Sequence, residues 1–237
     1  MLQIIRIHNE LLGTYGDRGN ADVLQFRAGL RDIKAKVIDV SYLDPLPKSG
    51  DIYLLGGAED AAQLLSLTAL RKGSILAHAA NKGAVVLAIC AGFQIIGTTY
   101  STRDQENAGL GLLDVTTTPG DRRLVGDIAV QSPLFTVPMT GFENHSSVTT
   151  LGQDVQAFGT VITGNGNGVA GIDGAISNNI FGTYLHGPVL ARNPEFADLL
   201  LERALGEALP TVIDELADHY AHWRRNVARR NVAKSSN

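Results

Sequence analysis

The chain has 237 residues, 44% hydrophobic and 19% charged, with a net charge of -4; this globular composition excludes a disordered segment and gives no electrostatic case for nucleic acid. A single cysteine excludes an internal disulfide and a cysteine-rich metal site. No basic leader and no run of about 18 apolar residues marks a secretion signal or a membrane span, so the cytoplasm is the expected compartment.

The first hundred residues alternate strand and helix signals. Ile4 to Ile7 reads as a short buried strand, and the Gly-rich segment Thr14 to Asn20 as a loop. A helix follows over Ala21 to Asp32, with Val23, Leu24, Phe26 and Leu30 on its apolar side. Lys36 to Val40 and Asp51 to Leu55 are further strands, the second ended by Gly56-Gly57. A helical region is expected over Glu59 to Ala80, a fourth strand over Ala84 to Ile89, and a helix over Gly92 to Tyr100. This alternation implies parallel βαβ units: an α/β fold with a doubly wound, mostly parallel sheet flanked by helices.

From Leu110 the pattern changes. Strand-like runs crowd together at Leu112 to Thr118, Asp127 to Val130, Val155 to Ile162, Gly168 to Ile172 and Ile180 to Leu185. Gly164-Asn165-Gly166-Asn167-Gly168 has the chemistry of a loop tip and reads as a flexible surface loop. Helices return at Asn193 to Leu205, with Asn193 as N-cap and Pro194 at the first helical position, and at Pro210 to Arg230. Without repeats or a linker, residues 1–237 read as one domain. Its basic end, about 210–237, carries Arg224, Arg225, Arg229, Arg230 and Lys234. It reads as a solvated tail, with contact to an anionic lipid surface or an acidic partner face as the other reading.

Chemistry concentrates at Ala84 to Gln94, where an apolar strand runs directly into Cys90, then small residues, then a helix. That is the arrangement of a nucleophile elbow, which pushes one side chain out at the carboxyl edge of a parallel sheet. The helix start supplies N–H groups and a positive dipole end near the sulfur, which favours thiolate. A lone cysteine reads more readily as a buried core residue; its place after the fourth parallel strand favours the nucleophile. A proton carrier is also needed, and His186 is delivered to the end of a strand that Gly187-Pro188 breaks. His8, His78, His219 and His222 carry no such signal. An oxyanion has two backbone donors at hand, the N–H of Ala91 and that of Gly57.

Cys90 with Gly92 and Gln94, the Gly56-Gly57 strand end, and Gly182-Thr183-Tyr184-Leu185-His186-Gly187 together resemble the class I (triad-type) glutamine amidotransferases, of flavodoxin-like architecture, in their cobyric-acid-synthase-like branch. Tyr15-Gly16-Asp17-Arg18-Gly19-Asn20 and Gly141-Phe142-Glu143-Asn144-His145-Ser146 sharpen the likeness to the GatD-type glutaminase subunits of lipid II isoglutaminyl synthase. The chain starts at the amidotransferase part, without the ATP-binding domain that precedes it in cobyric acid synthases.

The resemblance implies a glutamyl thioester on Cys90, a proton shuttle at His186, Gln94 in contact with the substrate, and Arg123 holding glutamine, with Arg122 as its neighbour. It leaves Asn144-His145-Ser146 between lining the pocket and a structural role. It implies a Mur-ligase-like, MurT-type partner subunit that holds ATP and magnesium and amidates D-glutamate of lipid II, with no cofactor or metal in this chain. A corrinoid carboxylate as acceptor and a non-catalytic binding module are the competing readings. Two positions depart from the family pattern: Ala88 stands where the elbow has Gly, and Pro188 where the third, acidic member of the triad follows the His. Another acid of this chain or one from the partner must orient His186; the sequence reading favours the partner.

Overall fold

The computed structural model describes residues 1–102 and 105–235, with side chains through residue 228. Its first half runs β1 (Leu2–Ile7), α1 (Asn9–Leu12), α2 (Gly19–Gly29), β2 (Ala35–Val40), β3 (Ile52–Leu55), α3 (Asp60–Leu70), α4 (Ile75–Asn81), β4 (Val85–Ile89) and α5 (Ala91–Ile96). The second half adds β5 (Thr99–Ser101), β6 (Glu106–Ala108), β7 (Val115–Gln131), β8 (Met139–Leu151), β9 (Gly159–Thr163), β10 (Ile172–Asp173), β11 (Ala175–Ser177) and β12 (Ile180–Thr183). It closes with α6 (Val189–Arg192), α7 (Pro194–Leu205) and α8 (Glu215–Ser235).

The apolar runs of the first half, β1 to β4, join β11 and β12 of the second half in one sheet, in the order β11-β12-β4-β3-β1-β2. All its pairings are parallel except that of β11 with β12. Strands covered by helices on both faces bury every side chain, which is why β3 and β4 read as unbroken apolar runs and are buried throughout. The strand order reverses around β1, and the carboxyl ends of β1, β3, β4 and β12 lie side by side. Ligands of doubly wound sheets bind outside such strand ends.

A second sheet, β10-β9-β7-β5-β6 with β8 also paired to β7, packs beside the first. The sheets meet at an antiparallel bridge in which Phe142 and His186 exchange two backbone hydrogen bonds of 3.0 Å. The approach depends on Gly141, because a Cβ there would sit 2.4 Å from Leu185 Cδ2.

Several sequence expectations shift. The helix expected over Glu59 to Ala80 is two helices, because the Arg71 to Ser74 stretch with Gly73 interrupts it. The helix expected to reach Tyr100 stops at Ile96; Gly97 ends it and the β-branched Thr98 and Thr99 lead into β5. The run at Leu112 to Thr118, from Val115 on, and the run at Asp127 to Val130 belong to one 17-residue strand, β7. It pairs with β8 on either side of its charged middle, and the register shifts between Pro119 and Leu124.

Gly164 to Gly168 has the expected positive φ at all three glycines but is not a free loop. The buried Glu143 carboxylate accepts hydrogen bonds from the backbone N–H groups of Asn165 and Gly166 at 2.9–3.0 Å. Asn193 occupies the N-cap position of α7, yet its side chain caps nothing and instead bonds Thr140 and Val189. In α8, Arg224 pairs with Asp127, and Arg225 with Glu195 at 2.7 Å, so neither is a free tail charge. Arg229, Arg230 and Lys234 lie outside the described side chains. Among the described residues no helix is long and apolar enough to cross a membrane.

Candidate active site

Cys90 sits between the end of β4 and the start of α5 with φ 52° and ψ -108°. A β-carbon residue reaches positive φ only when its surroundings force it there, and strain of this kind marks active sites. Two backbone hydrogen bonds supply the force: Cys90 N–H donates to Thr183 of β12 at 2.9 Å, and Gly92 N–H to Gly56 at 3.1 Å. Ala88, where the family has Gly, is fully buried and pairs with Gly182 across the β4–β12 ladder.

His186 follows the last paired position of β12, Thr183, by three residues and is fixed by the Phe142 bridge. Its Nδ1 lies 2.8 Å from Asp17 Oδ2, and both side chains are almost fully buried. The orienting acid is therefore in this chain, which corrects the expectation that the partner supplies it. Asp17 comes from the loop after α1 and takes the place that Pro188 leaves empty.

Burial opposes a charge on His186. The hydrogen bond to Asp17 and the neighbouring Cys90 outweigh it, raising the imidazole pKa well above its usual value. Nε2 makes no hydrogen bond in this resting geometry. A catalytic bond of this kind tightens when substrate binds. His145 takes the opposite state: burial, and then the charge of His186, push it down to about 4. It stands neutral, stacked on Tyr184 with ring centroids 3.8 Å apart.

The expected oxyanion donor Gly57 is a correction. Its N–H donates to Asp17 Oδ2 at 2.9 Å and is not free to meet an oxyanion. Gly57 has a different task, since a Cβ there would sit 2.7 Å from His186 Cε1 and 2.8 Å from Tyr15 Cδ2. The imidazole packs against bare backbone. Ala91 N–H remains a donor, because the first amides of a helix have no intrahelical acceptor. Ala58, next to Gly57, lines the same cavity as Cys90.

That cavity is walled by Arg123, Asn144, His145, Gln94, Tyr15 and Glu59 around the thiol. Two neighbouring arginines in the irregular part of β7 take different partners. Arg123 turns inward, with Nε on Asn144 Oδ1 at 2.7 Å, while Arg122 turns outward to Asn165. Gln94 reaches the cavity wall, but its amide is engaged inside the protein. It accepts from Gln63 at 2.8 Å and donates to Ser147 at 2.9 Å and Tyr184 at 3.2 Å. Asp17, Tyr15 and Glu59 were not singled out as site residues from the sequence. The first two stand in the Tyr15 to Asn20 motif, which was the available signal; Glu59 had none.

Residues 3–194 match the model of the CobB/CobQ-like glutamine amidotransferase domain. The chain is 38% identical over 207 residues to the lipid II isoglutaminyl synthase (glutamine-hydrolyzing) subunit GatD of Staphylococcus aureus, covering 86% of this chain and 84% of that one. It is 34% identical over 157 residues to a cobyric acid synthase of Pelotomaculum thermopropionicum, covering 59% of this chain and 30% of that one. A crystal structure of a glutamine amidotransferase superposes with a TM-score of 0.58 over 86% of this chain and 99% of that one, at 16% identity, which supports the fold alone. With an elbow cysteine, a histidine and a carboxylate in line beneath these matches, the chain belongs to the CobB/CobQ-like glutamine amidotransferase family, in the branch of the GatD subunits.

Proposed function

We propose that the chain hydrolyses L-glutamine to glutamate and ammonia through a thioester on Cys90. It then passes the ammonia to a MurT-like, ATP-dependent Mur ligase subunit, which amidates D-glutamate of the lipid II stem peptide to D-isoglutamine. The observation that carries the hydrolytic step is the buried Asp17–His186 contact next to Cys90, where the elbow after β4 meets the end of β12.

In that step the thiolate attacks the carboxamide carbon, and the oxyanion meets Ala91 N–H. His186 then gives its proton to the departing nitrogen, the C–N bond breaks and ammonia leaves. Water attacks the thioester, His186 takes the water's proton, and the thiolate is released with glutamate. Asp17 keeps the ring in the orientation that presents Nε2 to sulfur. Arg123 suits the substrate α-carboxylate, for which a guanidinium offers a two-pronged grip.

The lipid II acceptor rests on the likeness to the Staphylococcus subunit, which spans more of this chain at higher identity than the cobyric acid synthase does. The site would work at the inner face of the membrane, where the partner supplies ATP and magnesium. A non-catalytic module loses its main support once Asp17 completes the set.

Co-expression with a Mur-ligase-like partner and assay of lipid II amidation tests the reading. Cys90→Ala should abolish glutamine-driven amidation and retain amidation with free ammonia. Full glutamine-dependent amidation by Cys90→Ala would refute it.

A further inference from the structure

Glu59 stands at the N-cap position of α3, with φ -84° and ψ 159°, yet its side chain makes no capping hydrogen bond. The carboxylate turns to Tyr15 instead and accepts its phenolic hydrogen at 2.6 Å. On the other side of the same phenol oxygen, Arg123 donates from Nη2 at 3.3 Å. Among the described residues neither Glu59 nor Arg123 has an ionic partner. Both line the cavity that opens on Cys90.

Two opposite charges are thus held a few ångströms apart by one neutral oxygen. Burial, and then Glu59, push the Tyr15 phenol up to about 12, so it keeps its proton and serves as a donor to one charge and an acceptor from the other. This arrangement matches the one feature that every free α-amino acid carries, a carboxylate and an ammonium on the same carbon. In glutamine the carboxamide lies two methylenes from that carbon, and the cavity that Glu59 and Arg123 line also holds Cys90.

We propose that Glu59 is the anchor for the substrate's α-ammonium group, set across Tyr15 from Arg123 as the anchor for its α-carboxylate. The assignment rests on the glutaminase reading and deepens it. The pocket is a zwitterion clamp that selects free amino acids and rejects glutamine whose α-nitrogen is acylated or absent. Tyr15 is the positioning residue that keeps the two charges from collapsing onto each other.

The test uses the full chain with its partner subunit, glutamine, and glutaramate, which is glutamine without the α-amino group. Wild type should hydrolyse glutamine far better than glutaramate. Glu59→Gln keeps an acceptor for Tyr15 and removes only the charge. It should raise KM for glutamine about tenfold to a hundredfold, the worth of a charge-assisted hydrogen bond. It should leave kcat within about threefold and glutaramate hydrolysis unchanged, and Glu59→Asp should recover part of the discrimination. Equal losses on both substrates, or no loss on either, would overturn the anchor while leaving the glutaminase reading intact. A wild type that hydrolyses neither substrate would overturn both.

Discussion

Asp17 Oδ2 lies 2.8 Å from His186 Nδ1 and, from the same oxygen, accepts the N–H of Gly57 at 2.9 Å. One buried carboxylate therefore orients the imidazole and fixes the strand end that the ring packs against. Asp17 and His186 are 169 positions apart in sequence. Among the described residues its other oxygen, Oδ1, is buried without a partner, so the carboxylate depends on these contacts.

Asp17→Asn keeps the shape and removes the charge. The asparagine amide cannot hold the ring as the carboxylate does, and burial is left to oppose protonation of His186. Glutamine hydrolysis should fall about 100-fold or more in kcat, with KM little changed. Steady-state kinetics with and without the partner decide it. Undiminished activity in the variant would return the third acid to the partner subunit.

The same pair makes stability depend on pH with a fixed sign. The folded His186 pKa is raised above its unfolded value, so its contribution is fully present below about pH 6.5 and is lost as pH rises through the raised folded value. Urea melts of wild type and His186→Ala should differ most near pH 6 and converge toward pH 10. A gap that widens with rising pH would contradict the assignment.

Arg123 and Arg122 are neighbours with opposite fates. Arg123→Ala should raise KM for glutamine about tenfold to a hundredfold, with partial recovery in Arg123→Lys, because an ammonium keeps the charge but not the two-pronged geometry. Arg122→Ala should stay within roughly twofold of wild type, as expected of a surface side chain. Kinetics of the two alanine variants side by side would expose a reversed assignment.

Glu143 is buried, and its carboxylate receives the Asn165 and Gly166 amides together with the Asn165 side chain at 2.6 Å. Glu143→Ala leaves those backbone donors without acceptors and should lower stability by about 3 kcal/mol. Glu143→Gln, which keeps one acceptor oxygen, should lose less. Denaturant titration reads both; a loss under about 0.5 kcal/mol in Glu143→Ala would mean the 164–168 segment needs no anchor.

The first sheet was legible because strands buried on both faces must be continuously apolar, as Val85 to Ile89 is. The second sheet was only partly so. The middle of β7 carries Asp121, Arg122 and Arg123 and has the composition of a loop, while β8 turns the polar Glu143 and His145 inward. A strand whose buried face is polar lacks the alternation that local reading relies on. The motif Gly141 to Ser146 marked β8 as unusual without revealing that it was a strand.

The placement of Cys90 and His186 at the sheet edge followed from sequence, because an apolar strand that ends at a small-residue turn can only deliver its next side chain there. Asp17 did not. Its role depends on loop residues meeting the end of β12, and no local pattern encodes a contact across 169 positions. Gly57 shows the same division in reverse. Its glycine identity marked the strand end, but whether its N–H serves an oxyanion or a carboxylate was decided by which acceptor the tertiary fold placed within 3 Å. Sequence determined which chemical groups reach the rim of the sheet, since strand length and turn chemistry are local. Only the folded chain decided which of those groups already have partners, since a hydrogen bond is settled by distance and not by composition.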